Sequence, residues 1–362
     1  MADLRSYRRT ILWVSLLCLT VTVVGNLLVY WPSLLNTFHA PKQTNASIPV
    51  NVTNTTILIF NWAFWKKKDI RGNVCKDRFG IPNCILSDKR SLFSKADFVI
   101  FHNREVVLGQ QNLPLHLHRP KNQGWVWFSL EPPMFNYNLT PLAGKFNYTM
   151  SYRRDADFFV PHGRLAPRQV APGMTVEDVM PKVQKSHLAC WIVSNSAPHS
   201  RRTAVYNRLI KVINVTVYGL HHTPLSRRET LPTISRCYFY LAFENSEFLD
   251  YITEKLWTNA LQGGAVPVVL GPSRQNYEAM IPKDSFIHVN DFSSVEELGQ
   301  FLKQLARDRE RYASYFKWKL NYTVVFSDWD AWLVEAPCRI CTKLTTLQRP
   351  KVYRDLQSWV YI

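Results

Sequence analysis

An acid and a base stand side by side at Glu254 and Lys255, inside the stretch "YITEKLWTNAL" at residues 251–261. Ile252, Leu256, Trp257, Ala260 and Leu261 fall on one face at helical spacing, and Gly263 and Gly264 end the pattern. The spacing predicts a helix with Glu254 and Lys255 in its first turn. An ammonium there can neutralise a diphosphate, and a nearby carboxylate can accept bonds from ribose hydroxyls. The bland alternative is a well-charged surface helix, because an acid in a first turn stabilises any helix through its dipole.

The flanking segments decide how such a turn would be presented. "YFYLAFENS" before it and "AVPVVLG" after it read as buried strands, with Pro267 near the start of its strand or on an edge because it cannot donate to a ladder. Strand, helix and strand make a βαβ unit, which binds ligands beyond the carboxyl ends of its strands and against helix N-termini. "ACWIVSN", "VINVTVYG" and "SFIHVN" add strands, and "RRTAVYNRLIKVI" and residues 294–319 add helices, giving a doubly wound second domain. Ahead of it, "TTILIFNW", "ADFVIFHN", "GWVWFSLEPP" and "FFVPHG" predict a first α/β domain with a mostly parallel, buried sheet. Residues 166–186, rich in Pro and polar side chains, are expected to link the two.

The chain has 362 residues, which suits two domains of roughly 100 to 200 residues each. Hydrophobic residues at 46% and aromatics at 13% exclude global disorder. Residues 11–31 carry no Asp, Glu, Lys, Arg or His and match the ~20 residues of a membrane span. Their apolar run exceeds the roughly 7 to 15 residues of a signal peptide. Arg5, Arg8 and Arg9 precede the run, which predicts a cytosolic N-terminus and a luminal or extracellular body. Sequons at Asn45, Asn51, Asn54, Asn138, Asn147, Asn214 and Asn321 agree with that placement.

The net charge of +17 favours anionic ligands. A luminal, glycosylated body excludes nucleic acid as the partner, leaving phosphorylated small molecules, acidic glycans or membrane headgroups. Cys75, Cys84, Cys190, Cys237, Cys338 and Cys341 form an even set suited to an oxidising compartment. The C-x-x-C at Cys338 and Cys341 has no second such pair and no nearby His, so disulfides are favoured over zinc. Six cysteines allow about 15 connectivities, and local pairs such as Cys75 with Cys84 stay open.

Five stretches together resemble the animal α1,3/α1,4-fucosyltransferases of glycosyltransferase family 10: "WVWFSLEPP", "SYRRDADFFVPHGRL", "CWIVSN", "LPTISRCYFYLAFENS" and "FENSEFLDYITEKLWTNALQGGAVPVVLGPSRQNYEAMIP". The similarity runs from about residue 55 to the C-terminus. It implies an α/β, GT-B architecture, with two Rossmann-like domains facing a cleft behind a single transmembrane helix and a stem. The expected order is a cytosolic tail at 1–10, an anchor at 11–31, a stem at 32–54, an acceptor domain at 55–182, a GDP-fucose domain at 187–336, and a tail at 337–362 returning to the first domain. The location implied is the Golgi membrane, single-pass type II, with the catalytic body in the lumen.

By position, the resemblance assigns GDP-fucose binding to Val193, Ser194, Asn195, Arg202, Tyr240, Glu244, Asn245, Tyr251, Glu254 and Lys255. His162 joins them where the family carries a tyrosine. Arg202 and Lys255 would hold diphosphate oxygens and stabilise the leaving GDP. Glu131, before Pro132 and Pro133, matches the proposed general base of an inverting displacement at the 3-hydroxyl of GlcNAc. Arg104 and Trp127 are assigned to the acceptor. "HNRE" at 102–105, with Arg104 where α1,4-capable members carry Trp, implies α1,3 linkage. The family also implies the disulfides Cys75–Cys338, Cys84–Cys341 and Cys190–Cys237.

The expected substrates are N-acetyllactosamine-type glycans on glycoproteins and glycolipids, giving Lewis x or sialyl Lewis x products. No obligatory cofactor or protein-bound metal is expected, with Mn2+ at most a stimulant, and a homodimer is left open. Two rivals are weighed. A non-catalytic glycan-binding or chaperone member would fit the departures "WAFWKKK" from Trp62 and His162. A metal-dependent GT-A enzyme would use the D-x-D at Asp155 and Asp157.

Overall fold

The structure, a computed structural model, describes residues 54–60, 70, 73–194, 197, 200–347 and 351–361. The expected anchor, the expected stem apart from Asn54, "WAFWKKK", Asn45, Asn51 and Asn195 lie outside them. Among the described residues no helix is long and apolar enough to cross a membrane.

The first sheet has six strands: β1 (Thr55–Ile59), β2 (Cys84–Ser87), β3 (Phe98–His102), β4 (Gly124–Ser129), β5 (Tyr148–Ser151) and β6 (Phe158–Phe159). Their order is β2-β1-β3-β4-β5-β6, every pair parallel. Such a sheet is covered on both faces, so its strands are continuous apolar runs, and every residue of β4 is buried. Strands β2 and β5, only four residues each and ending in Ser, with Thr149 inside β5, are too short for the apolar-run criterion.

β7 (Gly163–Pro167) follows, and the segment expected as a linker holds its last residues and a short capped helix, Val176–Val179. The second sheet contains β8 (His187–Ile192), β9 (Val215–Tyr218), β10 (Cys237–Phe243), β11 (Val266–Leu270) and β12 (Ile287–His288). Its order is β12-β11-β10-β8-β9, again parallel throughout. Pro267 is tolerated in β11 because β12 pairs only with Val268 and Val269, leaving the start of β11 without a neighbour on that side. β13 (Tyr322–Phe326) then runs antiparallel to β7.

The chain finally returns to the first sheet. Leu333, Val334, Cys338 and Ile340 enter the core on one of its faces, and Leu356 and Val360 the core on the other. Disulfides Cys75–Cys338 and Cys84–Cys341 close loops of 263 and 257 residues and fix that return, while Cys190–Cys237 joins β8 to β10. These are the pairs that the resemblance implies.

Candidate active site

Strand order in the second sheet reverses between β8 and β10, and in doubly wound sheets the carboxyl ends flanking that reversal form the ligand crevice. β8 leads into Val193, buried, and Ser194, exposed. Val193 N donates to Tyr218 O at 2.8 Å. Gly219, at φ +135°, passes so close that a Cβ there would lie 1.9 Å from Val193 O. Beyond β10 come Glu244, enclosed, and Asn245, whose buried Oδ1 has no hydrogen-bond partner among the described residues. Arg202 is buried in the first turn of the helix Arg201–Leu209, which Ser200 caps by accepting from Thr203 N. Burial lowers its pKa, opposed by Glu244, Tyr251 and Glu254.

The predicted helix begins with Glu254 as its N-cap and runs Lys255–Gln262. Its turns are wide: Gly263 N donates to Thr258 O at 3.0 Å and Ala265 N to Ala260 O at 3.1 Å, each five residues back. Such turns are rare and concentrate at functional sites. Beneath them Trp257 donates from Nε1 to Ile252 O at 3.1 Å. Gly163 of β7 crosses the indole where a Cβ would fall 2.4 Å from Trp257 Cγ, so only glycine fits.

Lys255 Nζ donates to Glu244 Oε2 at 3.0 Å, Thr253 Oγ1 at 2.7 Å and Glu254 Oε1 at 3.1 Å, which occupies all its donors. Thr253 also binds Glu244, through its N at 2.8 Å and its hydroxyl at 2.8 Å. Burial raises the Glu244 pKa against the pull of Lys255. For Lys255, burial works downward but the two carboxylates outweigh it and the pKa is raised. Burial likewise pushes the Glu254 carboxyl up, yet Lys255 beside it prevails and holds it at about 2. The Glu254 side chain is half exposed, so its hold on Lys255 is the looser of the two.

Glu131 approaches from the first sheet, just beyond β4. Its carboxylate makes no hydrogen bond to a described residue, while its N donates to Ser129 Oγ at 3.2 Å and its O accepts from Asn136 Nδ2 at 3.1 Å. Its charge is felt by Tyr152 and by Tyr251, which follows β10 of the second sheet, both raised in pKa, first by burial. Those two rings lie 5.2 Å apart. His162 is buried among Trp332, Tyr251 and Tyr152, at 5.3, 6.1 and 6.2 Å between ring centroids. Neither ring nitrogen makes a well-formed hydrogen bond to a described residue, and the Leu130 backbone is the nearby polar group that acts on it. Burial lowers its pKa to about 4, against an upward pull from Glu254, so the ring is neutral at neutral pH.

Two expected contacts sit elsewhere. Trp127 points into the core from β4 and donates from Nε1 to Asn103 Oδ1 at 2.8 Å, leaving no surface for an acceptor. Tyr240 is fully buried within β10, its hydroxyl accepting from Asn259 Nδ2 at 2.9 Å, and it packs beneath the wide helix. Both are interior residues of strands covered on both faces. Arg104 is exposed at the end of β3, beside the first sheet's own reversal between β1 and β3.

The D-x-D carboxylates serve other partners. Asp155 takes Arg153 through both oxygens, at 2.8 and 2.7 Å, and Asp157 binds Thr149 N, Lys351 and Tyr353. Among the described residues no group of three or more His, Cys, Asp or Glu is arranged to hold a metal. Three contributors escaped the sequence reading: Thr253, signalled only by its place before Glu254; Asn136; and Asp250, which accepts from Arg154 Nε at 2.7 Å across the cleft.

Comparison with known proteins gives the family of the chain. The family model "Fucosyltransferase, N-terminal" matches residues 52–163, and "Glycosyltransferase family 10 (fucosyltransferase) C-term" matches residues 182–359. Alpha-(1,3)-fucosyltransferase 7 of Mus musculus is 44% identical over 86% of this chain and 77% of its own length. A 4-galactosyl-N-acetylglucosaminide 3-alpha-L-fucosyltransferase, FUT6 of Pan troglodytes, is 41% identical over 90% of this chain and 87% of its own. A solved alpha1,3-fucosyltransferase with GDP-fucose shares the fold, at a TM-score of 0.51 and 19% identity over 84% of this chain and 93% of that one. With both family models matched and relatives above 40% identical along most of the sequence, the chain belongs to glycosyltransferase family 10, the fucosyltransferases.

Proposed function

We propose that the chain transfers L-fucose from GDP-β-L-fucose to the 3-hydroxyl of GlcNAc in N-acetyllactosamine-type glycans, with inversion at the anomeric carbon. The observation that carries this is a carboxylate, Glu131, with no hydrogen bond to a described residue, whose charge reaches Tyr152 and Tyr251. Tyr251 in turn shares the field of Glu244 and Glu254 with Arg202 at the reversal of the second sheet, where Lys255 pairs with both carboxylates. Arg202 offers the bidentate geometry that suits diphosphate oxygens. Lys255 must give up one partner to join it. Glu254, half exposed and 3.1 Å away, is the one to yield, and its freed carboxylate turns to the ribose hydroxyls. Glu244 stays enclosed and keeps the ammonium in place.

Glu131 then takes the proton of the acceptor 3-hydroxyl as that oxygen bonds to the anomeric carbon. The bond from this carbon to the phosphate oxygen breaks, and GDP leaves with the electron pair and its charge stabilised by Arg202 and Lys255. Acceptors are glycans of glycoproteins and glycolipids, and Arg104 at the rim favours the α1,3 linkage. The first sheet forms the acceptor half and the second the donor half of a GT-B architecture, held behind an anchor at 11–31 in the Golgi membrane with its body in the lumen.

The test is transfer by the full-length chain in detergent, with GDP-fucose and neutral and sialylated type 1 and type 2 acceptors, with and without EDTA. Fucosylation of type 2 acceptors at the 3-hydroxyl that survives EDTA is expected. Binding of donor with no transfer to any acceptor would sink the enzymatic reading.

A further inference from the structure

A fully buried polar chain runs beneath Glu131. Trp127 Nε1 donates to Asn103 Oδ1 at 2.8 Å, and Asn103 Nδ2 donates to Asn136 Oδ1 at 3.0 Å and Asn136 O at 3.2 Å. Ser129 Oγ donates to the same Asn136 Oδ1 at 2.6 Å. Asn103, Ser129 and Asn136 are 1, 2 and 1% exposed. The chain ends on both backbone groups of one residue: Asn136 Nδ2 reaches Glu131 O at 3.1 Å, and Glu131 N reaches Ser129 Oγ at 3.2 Å.

Pro132 and Pro133 lack backbone donors, so this turn cannot close on Glu131 O through their amides. The Asn136 side chain closes it instead. Satisfied buried amides often hold a loop and do nothing more. Here the loop they hold carries a carboxylate with no hydrogen bond to a described residue, and Asn103, further along the chain of bonds, adjoins the rim residue Arg104.

We propose that Asn136 is a positioning residue for the reaction: through the backbone of Glu131, and with Ser129 and Asn103, it fixes where the carboxylate meets the acceptor hydroxyl. The inference rests on Glu131 being the base. A base must sit within hydrogen-bond reach of the proton it removes, and small displacements of such groups cost as much as about a hundredfold in rate.

The experiment uses the full-length enzyme with Asn136→Asp and Ser129→Ala, each made in the wild type and in Glu131→Gln. Asn136→Asp, when ionised, still accepts from Ser129 and Asn103 but has no donor for Glu131 O, so it is assayed above neutral pH as well. Ser129→Ala removes a single hydroxyl and guards against a variant that fails to fold. Each is expected to lower kcat by about tenfold to a hundredfold, with the KM for GDP-fucose and the affinity for GDP unchanged. In Glu131→Gln the same changes should cost nothing further, because the group they position is gone. An unchanged kcat in the wild type, or an equal loss in both backgrounds, would overturn the proposal. Wild-type kcat in Glu131→Gln alone would instead remove the base reading on which it stands.

Discussion

Lys255 Nζ lies 3.0 Å from Glu244 Oε2, and the carboxylate is the more deeply enclosed of the two, its side chain 1% exposed against 15%. A buried pair of this kind is strongly destabilised when one partner is lost, by about 3–5 kcal/mol, because the other charge is left uncompensated. The pair therefore has a structural duty as well as the donor-binding one proposed for Lys255.

Double substitution separates the duties. Lys255→Met alone should lower both the Tm and GDP affinity. Lys255→Met with Glu244→Gln should recover most of the Tm and leave GDP bound about tenfold to a hundredfold more weakly, the worth of a charge-assisted hydrogen bond. Calorimetric titration with GDP reads this directly. Recovery of affinity together with stability would reduce Lys255 to a scaffold.

How much of this was legible follows from what each signal measures. The parallel strands β1, β3, β4, β8, β10 and β11 announce themselves as apolar runs because both faces of their sheets are covered. The same coverage hides depth. Trp127 and Tyr240 match family positions, yet nothing in a run of apolar letters tells an enclosed ring from one lining a cleft. The helix start at Glu254 is written in the spacing, but its wide turns are not, since five-residue hydrogen bonds have no compositional mark. The helix Arg227–Ile234 is masked by Pro232 within it. Networks such as Asn103 with Asn136 join residues 33 apart, and no local pattern encodes them.

Glycan occupancy should differ among the sequons. Asn138, Asn214 and Asn321 are exposed. Asn147 is half-buried, its Nδ2 donating to Lys351 O at 2.7 Å and its Oδ1 accepting from Trp125 N at 2.9 Å, and Thr149 of its sequon is fully buried. Peptide mapping after peptide-N-glycosidase treatment in heavy-oxygen water, which turns each glycosylated Asn into a labelled Asp, is expected to label the first three and spare Asn147. Asn147→Gln should destabilise by about 1–3 kcal/mol through the lost buried bonds, and Asn138→Gln should not. Substantial labelling of Asn147 would contradict this.

The cleft is bridged at Arg154 and Asp250. Asp250 sits at φ +61° immediately before Tyr251, held by Asn276, whose Nδ2 donates to its Oδ1 at 2.6 Å and whose Oδ1 accepts from its N at 2.7 Å. Arg154 adds its Nε at 2.7 Å and its N at 2.9 Å from the first half. Arg154→Met takes the guanidinium from Asp250, whose side chain is 2% exposed, but leaves Asn276 and the backbone N of residue 154 bonded to it, so stability should fall by about 1–3 kcal/mol. Because the loop it steadies leads into Lys255, the KM for GDP-fucose should rise several-fold with the acceptor KM unchanged. A rise confined to the acceptor KM would place the bridge on the other side of the reaction.

His162 gives the stability curve a predictable limb. Buried against Tyr152, Tyr251 and Trp332, and facing Glu254 and Lys255 electrostatically, its ring has a pKa lowered to about 4 from an ordinary 6.5. Between those values the unfolded chain binds a proton that the folded one refuses, so stability rises with pH across the window and is lost as pH falls through it. The slope from this residue is at most about 1.4 kcal/mol per pH unit. Glu254 is shifted in the same direction, but its contribution is lost only below the ordinary 4.5 of a glutamate, on the way to about 2, so the two windows barely overlap. Urea unfolding at pH 5 and pH 7 should therefore show a stability loss in the wild type that His162→Phe reduces, with part of the remainder belonging to His288, whose pKa burial also lowers. Equal losses in both would mean that His162 keeps an ordinary pKa in the folded chain and that the limb arises elsewhere.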